Sequence, residues 1–547
     1  MSDTYDAVVI GGGAGGGIVA CVLAEAGQRV LLLERGKKMS YADVTQDHLR
    51  NHRLGKYGHN TGPELAGNPR VYIDPAGKRY VSTPIGPGYN NNAMVLGGGT
   101  LVYGAQAWRF MPQDFQMASI YGTPAGSSLA DWPIGYEDLA PYYERAEWEI
   151  GVAGDGGLAG KHWNRRKGFP LPPLPDTPTR LLLRRAADSL GWSSMPLPLL
   201  INSQPYNGRA PCVQCGNCVG VACPSDGKNG TQNTVIPRAL ATGLCDLLTE
   251  TQAERVDTDA QGKVIGVTFV SIRDGKVERR SVRCKRVILS AGAIESTRLL
   301  LNSASAIHRR GLGNESDHVG RHLQGHVYVG AHGVMDESVY TGRGPGASIV
   351  TTQFNHGNAG IIGGGLIADE FIKTPVIFFN GCFPPGARRW GLSAKKFMRD
   401  NYTRNVHVQG PVQEIPSPDS RVEIDGTVKD RFGIPVVKLS GTIHPETLVV
   451  GHFMRERAEQ WLTAAGAKGV WGWSPDGLGL SAGQHQAGTA RMGNDPKESV
   501  TDAWGRVHGH DNLYVADGSL HVTNGGFNPV LTIMALAYRV ADGIVKG

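Results

Sequence analysis

The sequence predicts an α/β fold: a Rossmann-like domain with a parallel sheet, and a second, α+β domain built on an antiparallel sheet. Three observations carry the prediction. The chain opens with strand, glycine turn, helix, strand and acid in unbroken order. A second strand, small-residue turn and helix start lies at residues 286–297. Between residues 326 and 479 the apolar pattern turns to short alternating stretches, the mark of half-buried antiparallel strands.

The opening unit reads as follows. Ala7-Val8-Val9-Ile10 is an apolar run that ends at glycine, as a buried parallel strand does. Gly11, Gly13 and Gly16 then fit G-x-G-x-x-G, with Ala14 inside it. The first glycine permits the tight turn, the second lets backbone approach a pyrophosphate, and the third lets helix pack on strand. Ile18 to Ala26 reads as a helix whose N-terminal N–H groups favour phosphate, and Gly27 can end it. Arg29 to Leu33 is a second strand, and Glu34 after it can accept from ribose hydroxyls. Glu34 argues against a 2′-phosphate; the motif does not separate FAD from NAD.

Residues 46–95 are polar and rich in Gly, Asn and Pro, and read as a long loop or lid. Leu96-Gly97-Gly98-Gly99-Thr100 is a second glycine turn. Helical rhythm covers Tyr136 to Val152 and residues 180–191, and another helix begins near Val235. Val327 to Val334 and Val376 to Phe379 read as strands of the antiparallel sheet. The divisions expected are 1–170 and 235–325 for two parts of the dinucleotide domain, 171–234 for a cysteine-containing insertion, 326–479 for the substrate domain, and 480–547 for a third part carrying active-site residues.

The 547 residues are too many for one simple core. Hydrophobic content of 40% and charged content of 19% suit a soluble globular protein. A net charge of +6 with no long basic run gives no track for nucleic acid, and no apolar stretch reaches transmembrane length.

The C-terminal region supplies the chemistry. It holds His485-Gln486-Ala487-Gly488-Thr489-Ala490-Arg491-Met492-Gly493, then Ala516-Asp517-Gly518-Ser519, then Gly525-Gly526-Phe527-Asn528-Pro529. With the N-terminal turn, the turn at 97–99 and Ser290–Thr297, these stretches resemble the glucose-methanol-choline (GMC) oxidoreductases. Residues 107–115 and 131–147 are similar to catalytic subunits of bacterial FAD-dependent sugar and polyol dehydrogenases. The resemblance is weakest from 326 to 479, where substrate is chosen.

The resemblance implies the GMC fold, FAD as cofactor, and oxidation of a secondary hydroxyl of a sugar, glycoside or polyol to a ketone; a glycoside oxidised at C3 would fit. It implies His485 as the base and Asn528 as the second active-site position. Neutral imidazole can take a proton near working pH; an amide cannot, but it can hold the alcohol oxygen or a developing alkoxide. Gly97, Gly98, Thr100, Val256, Ala291, Asp517, Gly518, Asn528 and Pro529 are expected at the cofactor. Pro529 suits the first turn of a helix running to about Ile544, whose positive end would favour a reduced flavin. Some relatives link FAD through a histidine just after the second glycine turn; Thr100-Leu101-Val102-Tyr103 has none, so a non-covalent FAD is expected. His452, His508, His510 and His521 are assigned surface or structural roles. The alternatives are a lipid, sterol or aromatic alcohol as substrate, and, from another class, a non-catalytic FAD-fold electron-transfer or assembly subunit.

Of eight cysteines, Cys21, Cys245, Cys284 and Cys382 are scattered and read as small buried apolar residues. Cys212, Cys215, Cys218 and Cys223, with Pro224 after them, resemble a ferredoxin run with one extra residue before the last cysteine. An iron–sulfur cluster is the leading expectation; disulfides or free thiols, and zinc, stay open. A cluster would pass electrons to a cytochrome or quinone. The resemblance further implies a small signal-bearing partner subunit, with a periplasmic location if exported on it and a cytoplasmic one otherwise.

Overall fold

A computed structural model describes residues 4–44, 61–90, 92–216, 218–370, 373–481 and 483–547. Its first sheet orders the strands Cys245–Leu248, Val30–Leu33, Thr4–Ile10, Lys276–Leu289, Val264–Arg273 and Thr251–Thr258, with Leu513–Val515 also on Lys276–Leu289. Around Thr4–Ile10 every pairing is parallel, and residues 513–515 pair with 287–289 in the same sense. A strand from near each end of the chain therefore joins one layer. The long Lys276–Leu289 strand leaves that layer at its start and pairs antiparallel with Val264–Arg273.

The helix predicted after the first turn spans Ala14–Glu25 and is buried along most of its length, because the small residues of AGGGIVACVLAE let neighbours approach from all sides. The neighbours include helix Val530–Lys546, whose Leu531, Met534, Ala535, Tyr538 and Ala541 are fully buried. Each large side chain so buried stabilises the fold by roughly 1.5–3 kcal/mol relative to exposure. The rhythm at 136–152 is helix Tyr136–Ala146 followed by a wider turn, Glu147–Gly151. Glu147 there takes two bonds from Arg109, both 2.8 Å, and two from Arg165, at 3.0 and 2.7 Å. That buried network pins residues 107–115 to the helix; removing one partner would leave a charge uncompensated.

The second sheet is antiparallel, as predicted. It runs Gly469–Trp473, Tyr328–Val334, Asn405–Pro411, Ile367–Asp369, Ile349–Thr351 and Met195–Pro196. Val329, Ala331, Val406 and Val408 pack on helix Pro445–Ala464, while Tyr328, His332, His407 and Gln409 look the other way.

Three expectations change. Residues 376–379 are helical, inside Pro375–Gly381, because Thr374 caps the first turn with its hydroxyl and Pro375 presets it. The stretch 46–95 is not all loop: Arg70–Ile73 and Arg79–Ser82 form a hairpin, and residues 45–60 and 91 lie outside the described residues. That hairpin joins Arg421–Lys429 and Pro435–Ser440 in a third sheet. Part of the stretch assigned to the substrate domain thus packs beside the first domain, where Arg298 donates to Asp430 at 2.8 Å. Among the described residues no helix is long and apolar enough to cross a membrane.

Candidate active site

One cleft runs between the first two sheets. Segments 10–15, 33–35, 92–106, 251–254, 290–302, 484–486 and 517–533 contribute to its wall. The glycine turn is built by close approach. Gly11 sits at φ 104, and a Cβ there would lie 2.3 Å from the Ser290 carbonyl oxygen. A Cβ on Gly16 would lie 1.9 Å from the Gly11 oxygen, so this third glycine serves packing, as predicted, and does not line the cleft. Gly15, which the motif leaves free, is tightest: its Cβ would stand 1.8 Å from the Ala516 oxygen. Gly13 faces open space and caps helix Ala14–Glu25 without any side-chain bond or acid in the first turn. Its N-terminal N–H groups are therefore available to an anion.

Glu34 borders the cleft and accepts from Gly12 N at 2.8 Å and Gly36 N at 2.7 Å. Burial pushes its carboxyl above the ordinary range, partly offset by those two bonds. Each oxygen keeps a lone pair for a ribose hydroxyl. Beside it burial pushes Glu295 up, but Arg35, Arg70 and Arg298 outweigh this and hold it ionised. Asp517 draws the two distant halves together: it accepts from Gly292 N at 2.9 Å, the Ser296 hydroxyl at 2.6 Å and Ser519 N at 2.9 Å.

Gly11, Gly13, Ala14, Glu34, Gly98, Thr100, Ala291, Asp517, Gly518, Asn528, Pro529 and His485 all meet in this cleft. Gly97 stands behind it against Gln232, at φ 92. Val256 lies apart: it is buried, its N–H donates to the Ser303 hydroxyl at 2.9 Å, and it borders a different cavity. Thr251 to Glu254, at the start of strand Thr251–Thr258, border the cleft instead, and Val256 lies further along it. Pro529 is the residue that caps Val530–Lys546, one position before the first turn.

Two histidines, His326 and His485, meet beside the cleft. His326 Nε2 lies 2.8 Å from the Gly525 oxygen and 3.2 Å from the Asn524 oxygen. Two acceptors require that this nitrogen carry hydrogen. Burial pushes His326 down to about 4, so at neutral pH its Nδ1 bears a lone pair. That Nδ1 is 2.8 Å from His485 Nδ1, which must then be the donor. His485 is left with its basic lone pair on Nε2. Asn528 Nδ2 donates to the Tyr328 hydroxyl at 3.0 Å, and its buried Oδ1 has no protein partner, a fit for an outside donor. His326 and Tyr328 escaped the sequence reading; the only signal was a Gly-His pair just ahead of an alternating strand. His521 is fully buried against Phe110 and Trp132, in a structural setting.

The four clustered cysteines do not form the expected ligand set. Among the described residues no three His, Cys, Asp or Glu side chains converge as a metal site, and none of the eight thiols is in a disulfide. Cys212 accepts from Gln214 N at 3.3 Å, and Cys223 lies 3.6 Å from the Ser225 hydroxyl. Burial pushes the Cys218 thiol up to about 12, with Lys228 pulling the other way. The loop is held instead by Lys228, which donates to the carbonyls of Cys218, Val221 and Tyr103.

A dinucleotide-type glycine turn and the histidine His485 thus share one cleft. Two family profiles, both described as GMC oxidoreductase, match residues 5–328 and 416–537, and the chain belongs to that family. It is 31% identical to 2-methyl-1,2-propanediol dehydrogenase of Mycolicibacterium austroafricanum, over 100% of this chain and 96% of the relative. It is 30% identical to 6'''-hydroxyparomomycin C oxidase of Streptomyces lividus (99% and 91% covered) and 28% to the fructose dehydrogenase large subunit of Gluconobacter japonicus (99% and 98%). Pyridoxine 4-oxidase from Mesorbium loti shares the fold, with a TM-score of 0.63 at 20% identity and 99% of both chains covered. The chain is therefore an FAD-dependent enzyme acting on hydroxyl donors.

Proposed function

We propose that the enzyme oxidises a secondary hydroxyl of a sugar, glycoside or polyol to a ketone, with His485 as the base. The carrying observation is the bond from His485 Nδ1 to His326 Nδ1, which leaves the basic Nε2 of His485 in the same cleft as Asn528. The turn at Gly11–Gly16, Glu34 and Asp517 would hold FAD, which when bound supplies the hydride acceptor. His485 takes the hydroxyl proton, and the acceptor bond to His326 shares the imidazolium hydrogen that results. Asn528 keeps the alcohol oxygen in place through the second hydrogen of its Nδ2, the first being given to Tyr328.

One polar side chain of the cleft wall, Gln106, supports a hydroxylated substrate. Gln106 borders the cleft and bonds to the buried Glu370, which also accepts from Gln409 Nε2 at 2.8 Å. Gln106 Oε1 also accepts from Trp108 Nε1 at 2.8 Å, so the network holds the Gln106 amide in place at the wall, and its second amide hydrogen can meet a substrate hydroxyl. The names of the diol, aminoglycoside and fructose relatives point the same way.

The test is anaerobic bleaching of the flavin absorbance by a panel of alcohols. Sugars, glycosides or polyols should bleach it; bleaching only by lipid, sterol or aromatic alcohols would reject the substrate class. His326→Ala should slow bleaching roughly 10–100-fold with FAD retained, since the Nδ1 hydrogen of His485 loses its acceptor. A change confined to KM would remove that role from His326. With Val102 and Tyr103 where a linking histidine would stand, acid precipitation should release all the flavin to the supernatant; yellow pellets would contradict a non-covalent cofactor.

A further inference from the structure

Residues 384–404 hold Arg388, Arg389, Lys395, Lys396, Arg399 and Arg404 against one acid, Asp400, a net +5 in a chain whose total is +6. Nearly all the excess charge of the protein thus sits on one short surface segment. All six cations are exposed, and among the described residues the one ion pair within the segment is Arg399 with Asp400, at 2.8 Å. Trp390 and Leu392 project from its middle at 68% and 82% exposure, the two most exposed large apolar side chains among the described residues. The Arg388 guanidinium lies 4.5 Å over the Trp390 ring.

The inner face of this segment is already packed. Helix Gly391–Asn401 buries Ala394 on Phe378, Cys382 and Phe383, with Phe397 and Met398 beside them. Trp390 and Leu392 therefore point outward from an element that is satisfied without them. A protruding indole and leucine ringed by long cationic side chains match the boundary between lipid headgroups and acyl chains. We propose that residues 384–404 are a membrane-surface anchor. Trp390 and Leu392 enter the interface of an anionic bilayer, and Arg388, Arg389, Lys395 and Lys396 hold its headgroups. Charge complementarity selects anionic lipid, and two protruding side chains suit insertion into a fluid surface better than a fixed protein pocket.

The test is co-sedimentation of the full holoprotein with vesicles of equal parts phosphatidylglycerol and phosphatidylcholine, beside vesicles of phosphatidylcholine alone. Binding is expected to the anionic vesicles only, weakening as salt is raised. The pair Trp390→Ser with Leu392→Ser should lower vesicle affinity about tenfold or more. The pair Lys395→Gln with Lys396→Gln should lower it about 25-fold, each charge near such a surface contributing roughly a factor of five. Unchanged melting temperatures confirm that the variants fold. Failure of the wild type to bind anionic vesicles, equal binding to neutral ones, or binding that survives both double substitutions would overturn the proposal.

Discussion

Replacing His485 with alanine is expected to slow substrate reduction of the flavin roughly 10²–10⁴-fold while FAD stays bound. The groups proposed to hold the cofactor lie elsewhere, at the glycine turn, Glu34 and Asp517, so an unchanged flavin-to-protein ratio separates loss of the proposed base from loss of the fold. The expected size follows from the geometry of His326. Its Nε2 is committed to the Gly525 carbonyl at 2.8 Å, which leaves only one tautomer for His485 and puts the whole basicity of that ring on Nε2. A variant reduced at nearly the wild-type rate in single-turnover stopped flow would reject the assignment. Asn528→Ala should cost only about tenfold, since one hydrogen bond and no proton acceptor is lost.

The second large effect is expected at Gly15. An alanine there would set its Cβ 1.8 Å from the Ala516 oxygen, and both sides of that contact are backbone. A flexible side chain could turn aside; a helix and the segment next to a strand cannot without separating. Overpacking of this kind costs about 1–3 kcal/mol where a core can yield, and at this position the shift would also drag Asp517 from Gly292 and Ser296. Gly15→Ala should therefore yield protein with little or no FAD and a melting temperature lowered by several degrees. Full flavin occupancy and an unchanged melting point would show that the two chain ends are less tightly joined than the structure has them.

What could be read from the chain was what depends on short-range order. Strand, turn, helix and acid at 7–34 follow from a few adjacent residues, and so does the block at 286–297. His485 and Asn528 were singled out through their neighbours, and the structure places both in one cleft. Residues 376–379 failed because four apolar or aromatic residues carry no usable period, while the decisive signal, Thr374 with Pro375, lay outside them. Strand 70–73 was hidden because its outer partner, Pro435–Ser440, is more than 350 residues away, and strand 79–82 because, among the described residues, it pairs only with 70–73, inside a polar stretch. Val256 lies outside the cleft because only the first residues of its strand, Thr251 to Glu254, reach it, and where a strand meets a cleft is not written in its composition. His326 was missed because what singles it out is a bond to another histidine across the fold. For Cys212, Cys215, Cys218 and Cys223, spacing along the chain carried no information on whether the thiols point to one centre.

The contact of Gly15 with Ala516 also bears on the order in which the protein is made. At ~5–20 residues per second, a ribosome needs about 25–100 s to pass from one to the other. For that interval the glycine turn exists without its opposite wall, and the apolar faces of helix Ala14–Glu25 lack their cover from Val530–Lys546. Cofactor capture is in consequence a late event of biosynthesis, and the nascent chain is a natural client for a chaperone until its distal segments emerge.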